Sequence, residues 1–234
     1  MVDQEFAGRD LVVTGGTGAL GRAVVELLLE RGARVHVPCF DARELEGLAF
    51  RDHARIRITE PVDLSAADAV ERFYASVPRL FASIHVAGGF AFTPLEQLSA
   101  EDVDAQVHLN TTTCMLCCRA AAARMKPEGG RIVNVTARPA LDPRQGAKLG
   151  AYVIAKAGVA ALTQLLASEL MDDDILVNAI APSVIDTPTN REAMADADFS
   201  TWVSPADAAE VVAFLASPRN RVVSGALVPV YGKA

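Results

Sequence analysis

Basic charge is scarce in this chain of 234 residues: 22 Lys and Arg stand against 29 Asp and Glu, for a formal net charge of -7. No basic stripe can neutralise a phosphate backbone, so nucleic acid is not an expected partner. There are only 4 cysteines and 4 histidines. Cys114, Cys117 and Cys118 crowd into one stretch, and Cys39 stands apart. Cys114-x-x-Cys117 has the spacing of a metal clip but no second ligand pair follows, so no metal site and no disulfide framework are expected. The thiols read as small buried hydrophobes. No apolar run approaches the length of a membrane span, and Asp3 and Glu5 occupy the place of a signal peptide's basic start. A cytoplasmic protein with no membrane partner is the expectation. Repeats, low-complexity tracts and linkers are also missing, which leaves one domain over residues 1–234.

What is present alternates between short β-branched runs and helical periods, with 51% hydrophobic residues to fill one large core. Leu11-Val12-Val13 leads through Thr14 into Gly15-Gly16-Thr17-Gly18-Ala19-Leu20-Gly21. Val24, Val25, Leu28 and Leu29 then recur at helical spacing, Gly32 sits where a C-cap is wanted, and Arg34-Val35-His36-Val37 opens a second strand. In such a βαβ unit the glycines let backbone approach a pyrophosphate while the helix N-terminus favours its charge. Further strands are expected at 56–58, 83–87, 132–135 and 176–180, with 226–231 as an edge strand that tolerates Pro229. Ser65 with Asp68, Ser99 with Asp102 and Ser204 with Asp207 read as helix starts. Core packing is the expectation for Phe90, Phe92 and His85. Residues 187–204 are polar and long for a loop, which makes them a candidate substrate lid.

Tyr152 and Lys156 lie four positions apart and share one face of a helix. A phenol with a pKa of about 10 is a poor acid at neutral pH, and a neighbouring ammonium brings it toward use.

Together, the stretch from Thr14 to Gly21, Asn110 and Tyr152-x-x-x-Lys156 resemble the short-chain dehydrogenase/reductase family along essentially the whole chain. The resemblance implies a single-domain Rossmann-type α/β fold, a doubly wound parallel sheet of about seven strands with helices on both faces. It implies an NAD(P)-dependent oxidoreductase, with NAD or NADP held by Gly15, Thr17, Gly18, Ala19, Leu20, Gly21, Asp63, Ala87, Gly88, Pro182, Val184, Ile185 and Thr187. Tyr152 would be the acid or base, Lys156 its electrostatic partner and a ribose ligand, and Asn110 a member of the proton relay. A small-molecule substrate and a homodimer or homotetramer are likewise implied.

Three departures carry information. Ala19 replaces a glycine of the cofactor loop. The family's serine is missing at Ala137, and Thr136 beside it faces the other way on a strand. Cys39 stands where an acid would pair with the adenosine ribose, while Arg43 is the nearest cation for a 2′-phosphate. Within the family, the segments 186–194 and 197–202, and Val86-Ala87-Gly88-Gly89-Phe90, are most similar to dihydropteridine reductases, which also carry alanine for the serine. The implied substrate is a small conjugated carbonyl or imine such as a quinonoid dihydropterin, met by Ala137, Phe90, Asn190, Met194 and Trp202. Arg191, Phe92 and Phe199 are further wall candidates. The alternatives are a general ketone or alcohol oxidoreductase and, in another class, a non-catalytic dinucleotide-binding scaffold. Ala137 favours the scaffold, whereas the joint presence of Tyr152, Lys156 and Asn110 argues against it.

Overall fold

The computed structural model describes residues 4–126 and 128–233. The β-branched runs form seven strands: β1 (Asp10–Thr14), β2 (Arg34–Pro38), β3 (Ile56–Thr59), β4 (Leu80–His85), β5 (Gly130–Val135), β6 (Ile175–Pro182) and β7 (Leu227–Val230). They lie in the order β3-β2-β1-β4-β5-β6-β7, and every neighbouring pair is parallel. The longer helices are α1 (Ala19–Glu30), α2 (Ala67–Ala75), α3 (Ala100–Gln106), α4 (Thr113–Met125), α5 (Arg138–Leu141), α6 (Gly150–Glu169), α7 (Pro188–Ala193) and α8 (Pro205–Ala216). This is the doubly wound sheet that the resemblance implied. The strand order reverses at β1, so a crevice opens above the carboxyl ends of β1 and β4.

Side chains alternate across the sheet as strand geometry requires. Leu11 and Val13 join Val24, Val25 and Leu28 of α1 and Val212 of α8 on one face, whereas Val12 joins Phe73, Leu116, Cys117 and Val159 on the other. Gly32 follows α1 at φ +90, the backbone its C-cap position demands. Ser99 and Asp102 make the expected capping box, and Ser204 caps α8 through the Asp207 amide.

Several boundaries differ from expectation. β4 begins at Leu80 and ends at His85, which frees Val86 and Ala87 for the crevice. Ser65 does not cap α2: its amide and hydroxyl both donate to the Asp63 carboxylate at 2.8 and 2.6 Å, and α2 starts two residues later without a side-chain cap. The nearer acid outcompetes the helix end for the same hydroxyl. The loop before Tyr152 contains α5 and a 3-10 turn. By length and composition α6 is apolar enough to cross a membrane, contrary to the expectation that no segment is. One stripe of it, including Ala151, Ala155, Val159 and Ala167, is buried, while Ile154 and Leu165 are exposed; apolar residues on two faces give it that composition.

The sheet is tied to α4 and α6 by one polar side chain. Fully buried Asn134 on β5 donates to Thr163 Oγ1 at 2.9 Å. Its Oδ1 lies 2.8 Å from His85 Nδ1 and accepts from the Cys114 and Cys118 thiols at 3.3 and 3.4 Å. Replacing Asn134 by leucine leaves these donors unpaired in the core and is expected to cost about 2–4 kcal/mol, read as a lower urea midpoint with an unchanged m-value.

Candidate active site

Above the β1/β4 switch point lies a cleft of about 620 Å³. Gly15, Thr17, Gly18, Ala19, Leu20, Gly21, Asp63, Ala87 and Gly88, all expected at a cofactor, line it together. Gly15 holds φ +68, and a methyl group there would come within 2.6 Å of the Ala87 nitrogen. At Gly21 a methyl would lie 2.0 Å from the Gly15 carbonyl oxygen. These positions require glycine because backbone passes against backbone. Gly18 is the N-cap of α1, with no side-chain cap and no acidic residue in the first turn. The helix end therefore keeps its positive dipole and free N–H groups for an anion, and the cradle fits a dinucleotide pyrophosphate. Ala19 is simply the first helical residue.

The inner end of the cleft leads to the reactive pair. Lys156 is 6% exposed, its ammonium donates to the Val135 carbonyl at 3.0 Å, and it lies 5.9 Å from the Tyr152 ring centroid. A methyl on Gly88 would stand 3.3 Å from Lys156 Nζ and 2.5 Å from Asn110 Oδ1, so Lys156 and Asn110 both flank this glycine. Asn110 sits in a π-helical stretch, Val107–Thr112, between α3 and α4. Its amide donates to the carbonyls of Gly89 and Gln106 at 3.1 Å, and its Oδ1 accepts from the Gly89 amide at 3.2 Å. The widened turn aims this side chain at the β4 exit.

Burial sets the protonation states. It pushes the Tyr152 phenol up to about 12, and it pulls Lys156 down to about 8, with nearby Cys114 opposing the second shift. At neutral pH Tyr152 is thus a protonated acid beside a largely charged amine.

Ala137 is 4% exposed in extended backbone and offers no hydroxyl. Thr136 turns away and donates to the Lys156 carbonyl at 2.7 Å. Phe90 packs edge-on against Tyr152, with ring centroids 5.1 Å apart. Contrary to the expectation of core packing, Phe90 and Phe92 are 64% and 60% exposed, on the irregular segment that follows β4.

The remaining predicted residues lie beyond β6 and do not line the 620 Å³ cleft. Pro182 ends β6, Val184 and Ile185 pair with Val203, and Thr187 caps α7 through the Asn190 amide at 3.1 Å. Asn190 also donates to the Ile185 carbonyl, and Arg191 pairs with Asp186. Phe199 and Trp202 stack at 4.8 Å, and Met194 is 39% exposed. The segment's polar groups are largely satisfied within itself.

Sequence reasoning missed Phe40, Glu44, Leu64, Ser65 and His108 in the cleft wall. They sit on turns and a π-helical stretch, where no regular period marks which way a side chain points. Arg43, the candidate for a phosphate, is 85% exposed at its side chain and paired with Asp41. The thiols are free and buried in the core, as expected, but they are not isolated from polar groups. Cys114 pairs with Cys118 at i+4, not with Cys117, and with His85 they bring three ligand atoms within 4.8 Å of one another. These groups are hydrogen-bonded through Asn134, so they are more than small hydrophobes.

A dinucleotide-sized cleft ending at a buried Lys beside a Tyr defines a Rossmann-type oxidoreductase. Residues 16–232 match the family model described as enoyl-(acyl carrier protein) reductase. Cis-4-hydroxycyclohexanecarboxylate dehydrogenase of Sinomonas cyclohexanicum is 32% identical, with 98% of this chain and 97% of that protein covered. Cyclohexanol dehydrogenase of Rhodococcus is 29% identical over 96% of this chain and 95% of its own length. A short-chain type dehydrogenase/reductase from Mycobacterium ulcerans superposes with a TM-score of 0.89 at 28% identity, covering 97% and 90% of the two chains. The chain belongs to the short-chain dehydrogenase/reductase family, whose members are NAD(P)-dependent oxidoreductases.

Gly21→Val is expected to abolish dinucleotide binding in a fluorescence titration, since even a methyl there overlaps the Gly15 carbonyl. Lys156 yields a stability prediction. Its folded pKa, about 8, lies below the ordinary lysine value of 10.5, so between these limits the unfolded chain binds more protons and stability rises with pH. Below pH 8 the buried charge is a cost, and Lys156→Met is expected to raise the thermal midpoint at pH 7 while removing turnover.

Proposed function

We propose that this protein transfers hydride between NAD(P) and the carbonyl or carbinol carbon of a small cyclic substrate. The convergence of Tyr152, Lys156 and Asn110 at the inner end of the cleft carries the proposal. Bound in the cleft, the nicotinamide supplies or accepts the hydride. In reduction Tyr152 gives its proton to the substrate heteroatom, and Lys156 stabilises the phenolate left behind. Asn110 holds the β4 exit against the pair. With no hydroxyl at Ala137, orientation falls to the substrate's own shape against the exposed rings of Phe90 and Phe92, and residues 187–204 act as the lid.

Two relatives named for alcohols on cyclohexane rings support a cyclic ketone or alcohol as substrate. The absent serine equally suits a conjugated imine such as a quinonoid dihydropterin, so both classes belong in the assay. The same proposal includes a second copy of the chain against α4 and α6, where Met115, Ile154 and Leu165 are exposed. Light scattering on the purified protein is expected to give at least twice the 24.7 kDa chain mass.

A panel of cyclohexanone derivatives and a quinonoid dihydropterin, each with NADH and NADPH, tests the activity. Turnover of neither class with either cofactor overturns the proposal. Tyr152→Phe is expected to lower kcat by about a hundredfold or more, and an active phenylalanine variant would remove Tyr152 from the proton step. The kcat/KM for reduction is expected to be level at neutral pH and to fall above about pH 8 as Lys156 loses its charge.

A further inference from the structure

We propose that Glu44 selects the dinucleotide: its carboxylate receives the hydroxyls of the adenosine ribose and rejects a 2′-phosphate, so the protein works with NAD(H) and not NADP(H). This rests on the dinucleotide reading of the cleft. Tyr152 and Lys156 lie beside the β4 and β5 exits. The opposite end of the cleft is built from Pro38 and Phe40 after β2 and Asp63, Leu64 and Ser65 after β3. That end receives the adenosine, and its ribose lies next to the glycine turn.

The sequence position that would carry the acid holds Cys39, 2% exposed and turned into the core, with its thiol donating to the Asp41 carbonyl at 3.2 Å. A 3-10 turn, Ala42–Leu45, follows at once and is capped by the Asp41 carboxylate on the Arg43 amide. Residues in such a turn are about 120° apart, so consecutive side chains part company. Leu45 enters the core. Arg43 folds back on Asp41 through Nε and Nη2. Glu44 enters the cleft wall and accepts a hydrogen bond from the Thr17 hydroxyl of the glycine turn. That hydroxyl occupies the carboxylate as a ribose hydroxyl would.

Charge around this end points the same way. Among the described residues lining the cleft, the ionisable ones are Glu44, Asp63 and His108, with no lysine or arginine. Arg22, nearest along α1, spends its Nε on the Thr17 carbonyl at 2.6 Å. The Cys39 thiol is pushed up first by burial and then by the field of Glu44, against the hydrogen bond it gives the Asp41 carbonyl. A phosphate dianion arriving here meets the negative charge of Glu44 and Asp63, with no lysine or arginine among the described lining residues.

Equilibrium titrations with NADH and NADPH, repeated with ADP-ribose and its 2′-phosphate to remove any nicotinamide contribution, test the proposal. Wild type is expected to bind each unphosphorylated ligand at least about tenfold more tightly than its 2′-phosphate. Glu44→Gln is expected to strengthen NADPH binding, weaken NADH binding and shrink that ratio several-fold. Glu44 is exposed, so the variant keeps its fold, checked by circular dichroism. Arg43→Ala is expected to leave NADPH affinity unchanged. Equal binding of the two cofactors by wild type, a ratio that Glu44→Gln does not move, or loss of NADPH affinity in Arg43→Ala would each overturn the role of Glu44 while leaving the cofactor site intact. Binding of neither dinucleotide overturns the site as well.

Discussion

Backbone lies against backbone where the chain leaves β1, and the placement of everything chemical follows from that contact. Gly15 turns at φ +68 directly against Ala87, and Gly21 closes on Gly15 from the first turn of α1. Side chains are excluded from this crossing, so α1 begins close enough to present its free N–H groups over the switch point of the sheet. Gly88, next to Ala87, in turn leaves just the space that Asn110 and Lys156 fill. A line of glycine contacts thus connects the start of α1 to Asn110 and Lys156.

The helix that carries Tyr152 and Lys156, α6, is held by hydroxyls and one buried amide. Thr136 donates to the carbonyl of Lys156 and Thr111 to that of Ala155, each at 2.7 Å. Both carbonyls lie on the turn that carries the ammonium, so the two threonines fix its height above the sheet. Thr163 further along α6 takes the Asn134 amide. Without such ties the helix would relax outward and hydrate Lys156, because burial of that charge opposes folding at neutral pH. The desolvation that lowers the lysine's pKa is the cost of holding it there, and the hydrogen bonds beneath it offset that cost.

How far the amino-acid pattern reached can be argued from particular residues. β1, the glycine turn and α1 were readable because period-2 and period-3.6 patterns meet there at glycines with a physical task. Tyr152, Lys156 and Asn110 were readable through family resemblance, not periodicity. Glu44 escaped because a 3-10 turn of four residues has no period to extrapolate. The Cys114–Cys118–His85 group escaped for another reason. Cys-x-x-Cys draws attention to i, i+3 pairs, whereas the residues that meet here are i, i+4 on a helix and a third from a neighbouring strand. Ser65 misled because a cap and an Asx turn look alike until the competing Asp63 is seen to win.

Two family features are missing from their usual places, and the fold treats them differently. The acid lost at Cys39 is recovered five residues later by Glu44, on a turn that can choose which of its side chains faces the cleft. The hydroxyl lost at Ala137 is not recovered. Its neighbour Thr136, in the extended backbone just past β5, points the other way, and there it serves α6. A strand end permits only alternation, whereas a turn permits rotation. A side chain facing the cleft could therefore be rebuilt locally after β2, whereas the backbone after β5 offers no second place for a hydroxyl. A substrate that orients itself by ring shape, with Phe90 edge-on to the phenol, is the chemical counterpart of that difference in backbone freedom.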